Sequence, residues 1–126
     1  MAWVIRWATA ADIADFYGDQ PPPGPLRALV SEIDGEVEAV GGICYPRGGW
    51  PTLFSNIRPG KRSAVRVWKG ARAILERVVG DQPVVAMADR DEPGAPRLLE
   101  RLGFERFGET QQGLMYRYTR KDSGRG

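Results

Sequence analysis

The sequence predicts an α+β domain, a mixed and mostly antiparallel sheet of about six to seven strands with helices on both faces. Three observations carry this. Stretches of period-two hydrophobicity interleave with stretches of helical period in the order β-α-β-β-β-α-β-α-β-β. Residues 50–88 read as a strand, a long helix and a second strand, a parallel crossover inside a sheet otherwise built from hairpins. The 126 residues suit one domain, taken as 1–120, with 121–126 expected to be a flexible basic tail.

Each element has a local reason. Trp3 to Ala8 alternates and is rich in β-formers. Thr9 suits the N-cap of a short helix from Ala10 to Tyr17 that Gly18 ends. The proline run from Pro21 to Pro25 is a stiff extended connection. Leu26 to Ile33 alternates as a strand, and Asp34-Gly35 is a two-residue hairpin turn into a partner strand, Glu36 to Tyr45. Gly41-Gly42 inside that strand suggests a bulge or a close backbone approach. A turn at Pro46 to Gly49 leads to a third strand, Trp50 to Ile57.

Ser63 to Val79 is the long helix, with Ala64, Val67, Trp68, Ala71, Ile74, Leu75 and Val78 on one face. The continuous apolar run Val84 to Ala88 is a strand buried on both sides. Pro96 fits the first turn of a short helix from Gly94-Ala95 to Leu102, capped by Gly103. Phe104 to Thr110 and Leu114 to Tyr118 close the sheet. Trp3, Trp7 and Trp68 are expected in the core.

Composition removes several function classes. The net charge of +2 is too small to argue for nucleic acid or a membrane surface. The chain has no histidine, which excludes His-based triads and nearly every zinc site. Cys44 is the one cysteine; it cannot close an internal disulfide and reads as a small buried hydrophobe. No apolar stretch approaches the roughly 18 residues of a membrane span, and the N-terminus lacks a leader pattern, so a cytoplasmic location is expected.

Two stretches resemble the GCN5-related N-acetyltransferase (GNAT) family. Ala95-Pro96-Arg97-Leu98-Leu99-Glu100-Arg101-Leu102-Gly103-Phe104-Glu105 is similar to its late helix that ends in Leu-Gly-Phe and a charge. Ile57-Arg58-Pro59-Gly60-Lys61-Arg62 resembles the apolar-x-Pro-x-x-Arg run that enters its long helix. The element order agrees over about Val4 to Tyr118, and the size and layout are similar to the short GNAT-like proteins of bacteriophages.

The resemblance implies acetyl-CoA as co-substrate and a primary-amine acceptor, small molecule or protein, acetylated directly through a tetrahedral intermediate. It implies that a helix start cradles a pyrophosphate, since unpaired N–H groups and the helix dipole attract anions. The cofactor residues expected on this basis are Phe54, Asn56 and Ile57 on the preceding strand, then Arg62, Ser63, Ala64, Val65, Arg66 and Val67. With no histidine, the base falls to a carboxylate, Asp89 or Glu92, although acids there also favour the following helix start. Tyr116 is the expected proton donor, with sheet-face packing as its alternative.

The sequence departs from the family pattern at five places. Val65 and Val67 stand where two glycines are expected, and Leu99 where many members carry a proton-donating tyrosine. Glu92 replaces a frequent asparagine, and the proline run leaves room for one N-terminal helix instead of two. These departures leave open a second reading, a catalytically inactive module of this fold that binds or builds, such as a phage component. No membrane or nucleic-acid partner is expected; a homodimer through an edge strand is allowed.

Overall fold

The computed structural model describes residues 2–20, 22–58 and 64–119. The elements are β1 (Trp3–Trp7), α1 (Ala10–Tyr17), β2 (Leu26–Ile33), β3 (Glu36–Cys44), β4 (Thr52–Ile57), α2 (Ala64–Arg77), β5 (Val84–Asp89), α3 (Ala95–Arg101), β6 (Glu105–Glu109) and β7 (Gly113–Tyr118). They follow the predicted order. The strands form one seven-stranded sheet, β1-β2-β3-β4-β5-β7-β6. Every neighbouring pair is antiparallel except β4 and β5.

Local chemistry sets the boundaries. The Thr9 side chain accepts from the Asp12 N–H while Asp12 accepts from the Thr9 N–H, a reciprocal capping box that starts α1. Asp34 and Gly35 take φ of 51° and 84°, the left-handed pair that a two-residue hairpin between β2 and β3 demands. At the end of α3 the Phe104 N–H donates to the Leu99 carbonyl at 2.9 Å. Phe104 then drops into the core at 3% exposure.

The sheet carries two cores. On one face, α2 and α3 cover Leu29, Ile43, Val84, Ala86, Ala88 and Tyr116. On the other, α1 covers Ala28, Val30 and Val40, with Phe54 packed against them. Burying an aliphatic side chain such as Ile43 or Val78 stabilises the fold by about 1.5–3 kcal/mol each. Arg6 ties the edge strand to both neighbours, bonding Asp12 of α1 at 2.7 Å and Glu32 of β2 at 3.0 Å. That guanidinium holds the Asp12 carboxyl far below the usual carboxylate range.

The expectation of three core tryptophans needs correction. Trp7 is 48% exposed, its ring lying under the Arg27 guanidinium rather than in the core. Trp3 and Trp68 are half-buried, with Trp68 packed against the α2–α3 core as expected. Trp3 donates to the Ser31 hydroxyl, and the Arg72 and Arg101 guanidiniums approach the Trp68 ring, at 5.7 and 4.6 Å from its centroid. The bulge falls at Glu38, not at the glycines: Ser31 pairs with Ala39 and Glu32 with Val37, so Glu38 is the extra residue. Gly41 and Gly42 meet the other half of their expectation and are sites of close approach. A Cβ on Gly41 would meet the Ile74 side chain at 2.7 Å, and one on Gly42 would strike the Arg27 carbonyl oxygen.

Cys44 is buried as expected, and burial pushes its thiol pKa up. Among the described residues no helix is long and apolar enough to cross a membrane. The expected tail, 121–126, lies outside the described residues.

Candidate functional site

The sheet opens between its two parallel strands. β4 and β5 share one register pair, Thr52 with Val85, and the Val85 N–H donates to the Pro51 carbonyl at 3.0 Å. Along a strand, alternate residues turn their backbone groups to the same side. Since Pro51 faces β5, so do Leu53, Ser55 and Ile57; Phe54 and Asn56 face β3, and Arg58 after them donates to the Glu38 carbonyl on β3. On β5 the same alternation turns Met87 and Asp89 toward β4, while β7 runs alongside on the other edge. Beyond Leu53 neither Ser55 nor Ile57 has a register partner on β5. Past Leu53 the two strands are therefore unpaired, which leaves a gap bordered by backbone donors and acceptors.

The two faces of this gap differ. Leu53 packs with the α2–α3 core and Phe54 with the α1 core. Alternation therefore puts the side chains of Ser55 and Ile57 on the α2 side and that of Asn56 on the α1 side. Asn56 Nδ2 donates to the Tyr17 hydroxyl oxygen at 2.7 Å, a contact that spans 39 residues of chain. Burial raises the Tyr17 pKa above the ordinary tyrosine value, partly offset by that hydrogen bond, and keeps the hydroxyl protonated.

On the α2 side, the first turn of a helix leaves N–H groups without intrahelical partners. Of the residues expected there, Arg62 and Ser63 lie outside the described residues, as do the side chains of Ala64 and Val65. Val67 is half-buried. Arg66 forms a two-pronged ion pair with Glu38, its Nε 2.8 Å and its Nη2 3.2 Å from the two carboxylate oxygens. Glu38 is 5% exposed and also accepts from the Ser31 hydroxyl at 2.9 Å, and Ser31 in turn accepts from Trp3.

The bulge explains how a carboxylate on β3 reaches α2. Val37 and Val40 both pack on the α1 side although three positions apart. The extra residue switches the parity between them and turns Glu38 to the other face. Arg66 therefore ties the first turns of α2 to the sheet, and its charge is matched there.

At the far end of β5, Asp89 is exposed and its Oδ1 accepts from the Asp91 N–H at 2.8 Å. The Glu92 N–H donates to the Asp89 carbonyl, and Ala95 donates to that of Glu92, so both acids shape the turn into α3. Tyr116 is 1% exposed, and its hydroxyl donates to Glu100 Oε2 at 3.1 Å inside the α2–α3 core. Burial and the neighbouring carboxylate raise its pKa. Leu99 is buried in the same core. Among the described residues, no three His, Cys, Asp or Glu side chains cluster as metal ligands.

The structure thus brings Ile57 and Asn56 to the gap, one by its backbone and one by its side chain. Phe54 faces the α1 core, Arg66 faces Glu38, and Tyr116 faces Glu100. Sequence reasoning missed Tyr17 and Glu38; it expected backbone donors along Phe54 to Ile57 without singling out Ser55. Strand alternation counted from Pro51 would have found Ser55, but only with the register known. The bulge that turns Glu38 inward leaves no local signature.

No family model matches the sequence, and no curated protein does. Solved structures match it in three dimensions. A Bordetella pertussis protein assigned to the GNAT-family acetyltransferases is 21% identical, covers 86% of this chain and 71% of its own, and gives a TM-score of 0.60. YncA of Salmonella typhimurium, assigned as an acetyltransferase and solved with acetyl-CoA, is 15% identical over 98% of this chain and 97% of its own, with a TM-score of 0.73. The ribosomal-protein-S18-alanine N-acetyltransferase of Escherichia coli is 16% identical over 98% and 97%, with a TM-score of 0.63. This chain has the fold of the GCN5-related N-acetyltransferases.

Proposed function

We propose that this protein is an acetyl-CoA-dependent N-acyltransferase that acetylates a primary amine. The observation that carries the reading is the gap between β4 and β5, where the amides of Ser55 and Ile57 lack a partner strand. An extended pantetheine arm can pair with such amides as a missing strand would. The similar Salmonella protein is solved with acetyl-CoA, and the Escherichia coli protein acetylates an alanine nitrogen, which supports both the co-substrate and the acceptor class.

Acetyl-CoA supplies a thioester when bound. In this reading the start of α2, with Arg62, Ser63, Ala64, Val65 and Val67, receives its phosphates, because a helix N-terminus carries about half a positive charge. Arg66 holds that turn against Glu38. The amine nitrogen attacks the acetyl carbon, and the developing oxyanion is stabilised by an N–H facing the gap. The C–N bond forms, the C–S bond breaks, and the thiolate takes a proton from water. Asp89, on the same face as Asn56 by strand alternation, receives the amine proton through water; Glu92 lies in the turn beyond it.

The second reading, binding without catalysis, draws on Leu99 and on the commitment of Tyr116 to Glu100, which leave the usual donor position without a hydroxyl. A thiol-release assay with acetyl-CoA and a panel of primary amines separates the two. Thiol released only when amine is present is the expected result. Calorimetric binding of acetyl-CoA with no thiol released selects the inactive module, and neither binding nor release overturns both.

A further inference from the structure

We infer that Asn56 and Tyr17 form a neutral hydrogen-bonded pair that receives the acceptor amine on the α1 side of the gap. The inference rests on the acyltransferase reading and adds to it a positioning pair on the acceptor side. Asn56 projects from β4 where that strand has left β5, on the face opposite α2. Its amide nitrogen is engaged by Tyr17 at 2.7 Å. That contact fixes the amide plane and leaves Oδ1 exposed as an acceptor; the residue is exposed and Tyr17 half-buried behind it.

The chemistry of the pair suits a nucleophilic amine. An amine N–H donated to Asn56 Oδ1 leaves the nitrogen lone pair free to attack. A carboxylate at the same place would favour the ammonium form, which has no lone pair. Of the groups around the pair, Cys44 is a buried thiol and the Asp15 carboxylate lies 3.5 Å from the Arg58 guanidinium, which stacks on Phe16; the carboxylate of Asp89 sits on β5, across the gap from Asn56, where it can take the proton without pairing with the bound amine. Tyr17, kept protonated by burial, is neutral as well. Asn56 is then the contact residue, and Tyr17 acts through it.

The test uses n-butylamine as the acceptor probe with acetyl-CoA. Asn56→Ala is expected to lower kcat/KM for the amine about tenfold, the scale of one neutral hydrogen bond, with the KM for acetyl-CoA unchanged. Asn56→Asp, nearly isosteric, is expected to move the rising limb of the amine pH–rate profile to higher pH, because the carboxylate stabilises the ammonium. Tyr17→Phe should give a smaller loss in the amine parameter alone. A profile for Asn56→Asp that overlays the wild type, or a raised KM for acetyl-CoA instead of the amine, overturns the inference while the acyltransferase reading stands.

Should n-butylamine prove too poor a substrate to assay, the Asn56 side-chain amide resonances of the CoA complex decide the matter. They are expected to shift on addition of n-butylamine; no shift at saturating amine overturns the pair's role. A protein that fails to bind CoA at all refutes the underlying reading first.

Discussion

Replacing Ser55 with proline is expected to lower kcat for acyl transfer about 100-fold, the cost of removing one oxyanion donor. Proline deletes the N–H that faces the gap. It deletes no ladder bond to β3, because Phe54 and Asn56, not Ser55, turn their backbones that way. Strands tolerate proline where the missing N–H faces no partner strand, so the fold should persist. Ser55→Ala keeps the N–H and should stay within about twofold of wild type, which isolates the backbone effect from the side chain. Steady-state kinetics on both variants, with thermal melts to verify folding, make the comparison. Equal rates for the two would remove this amide from the mechanism.

The largest expected stability effect lies at Arg66. Arg66→Ala should destabilise the domain by about 3 kcal/mol, because it leaves the Glu38 carboxylate buried with its charge uncompensated. The Ser31 hydroxyl still donates to that carboxylate but brings no charge. Glu38→Ala should cost less: the Arg66 side chain is 21% exposed against 6% for Glu38, so the guanidinium can regain part of its hydration. The order of the two losses is therefore the informative quantity. Urea unfolding measures it, and a drop of roughly 10 °C in Tm should accompany the arginine variant. Losing less stability from Arg66→Ala than from Glu38→Ala would show that the carboxylate is not the stranded partner.

Both predictions concern groups that the linear sequence hides, and the contrast with what it shows is physical. Element order was legible because each segment carries its own period and its own stop: Thr9 and Gly18 around α1, Asp34-Gly35 between β2 and β3, Gly103 after α3. These are local signals, and the structure places all ten elements within a few residues of them. Cys44 in the core was legible for the same reason, lying within an apolar run.

Tertiary pairing was not legible. Period two says that Asn56 and Ser55 point to opposite faces, but not which faces, until Leu53 and Phe54 are seen in their separate cores. The parity switch at Glu38 is a one-residue slip that no composition signal marks. Arg66 looked like a phosphate ligand because a basic residue at a helix start fits that role; its partner sits 28 residues earlier on another strand. Trp7 looked like core because large aromatic residues usually are, yet β1 is an edge strand and Trp7 ends it.

Everything functional turns on whether the opening after Thr52 takes an acyl-CoA chain as its absent neighbour. A crystal structure of the protein grown with acetyl-CoA bears on this most directly. The account predicts pantetheine running between β4 and β5, with the Ser55 or Ile57 N–H within hydrogen-bonding distance of it and the acetyl group reaching toward Asn56. Acetyl-CoA bound elsewhere on the surface, with the two strands closed on each other past Leu53, would contradict it.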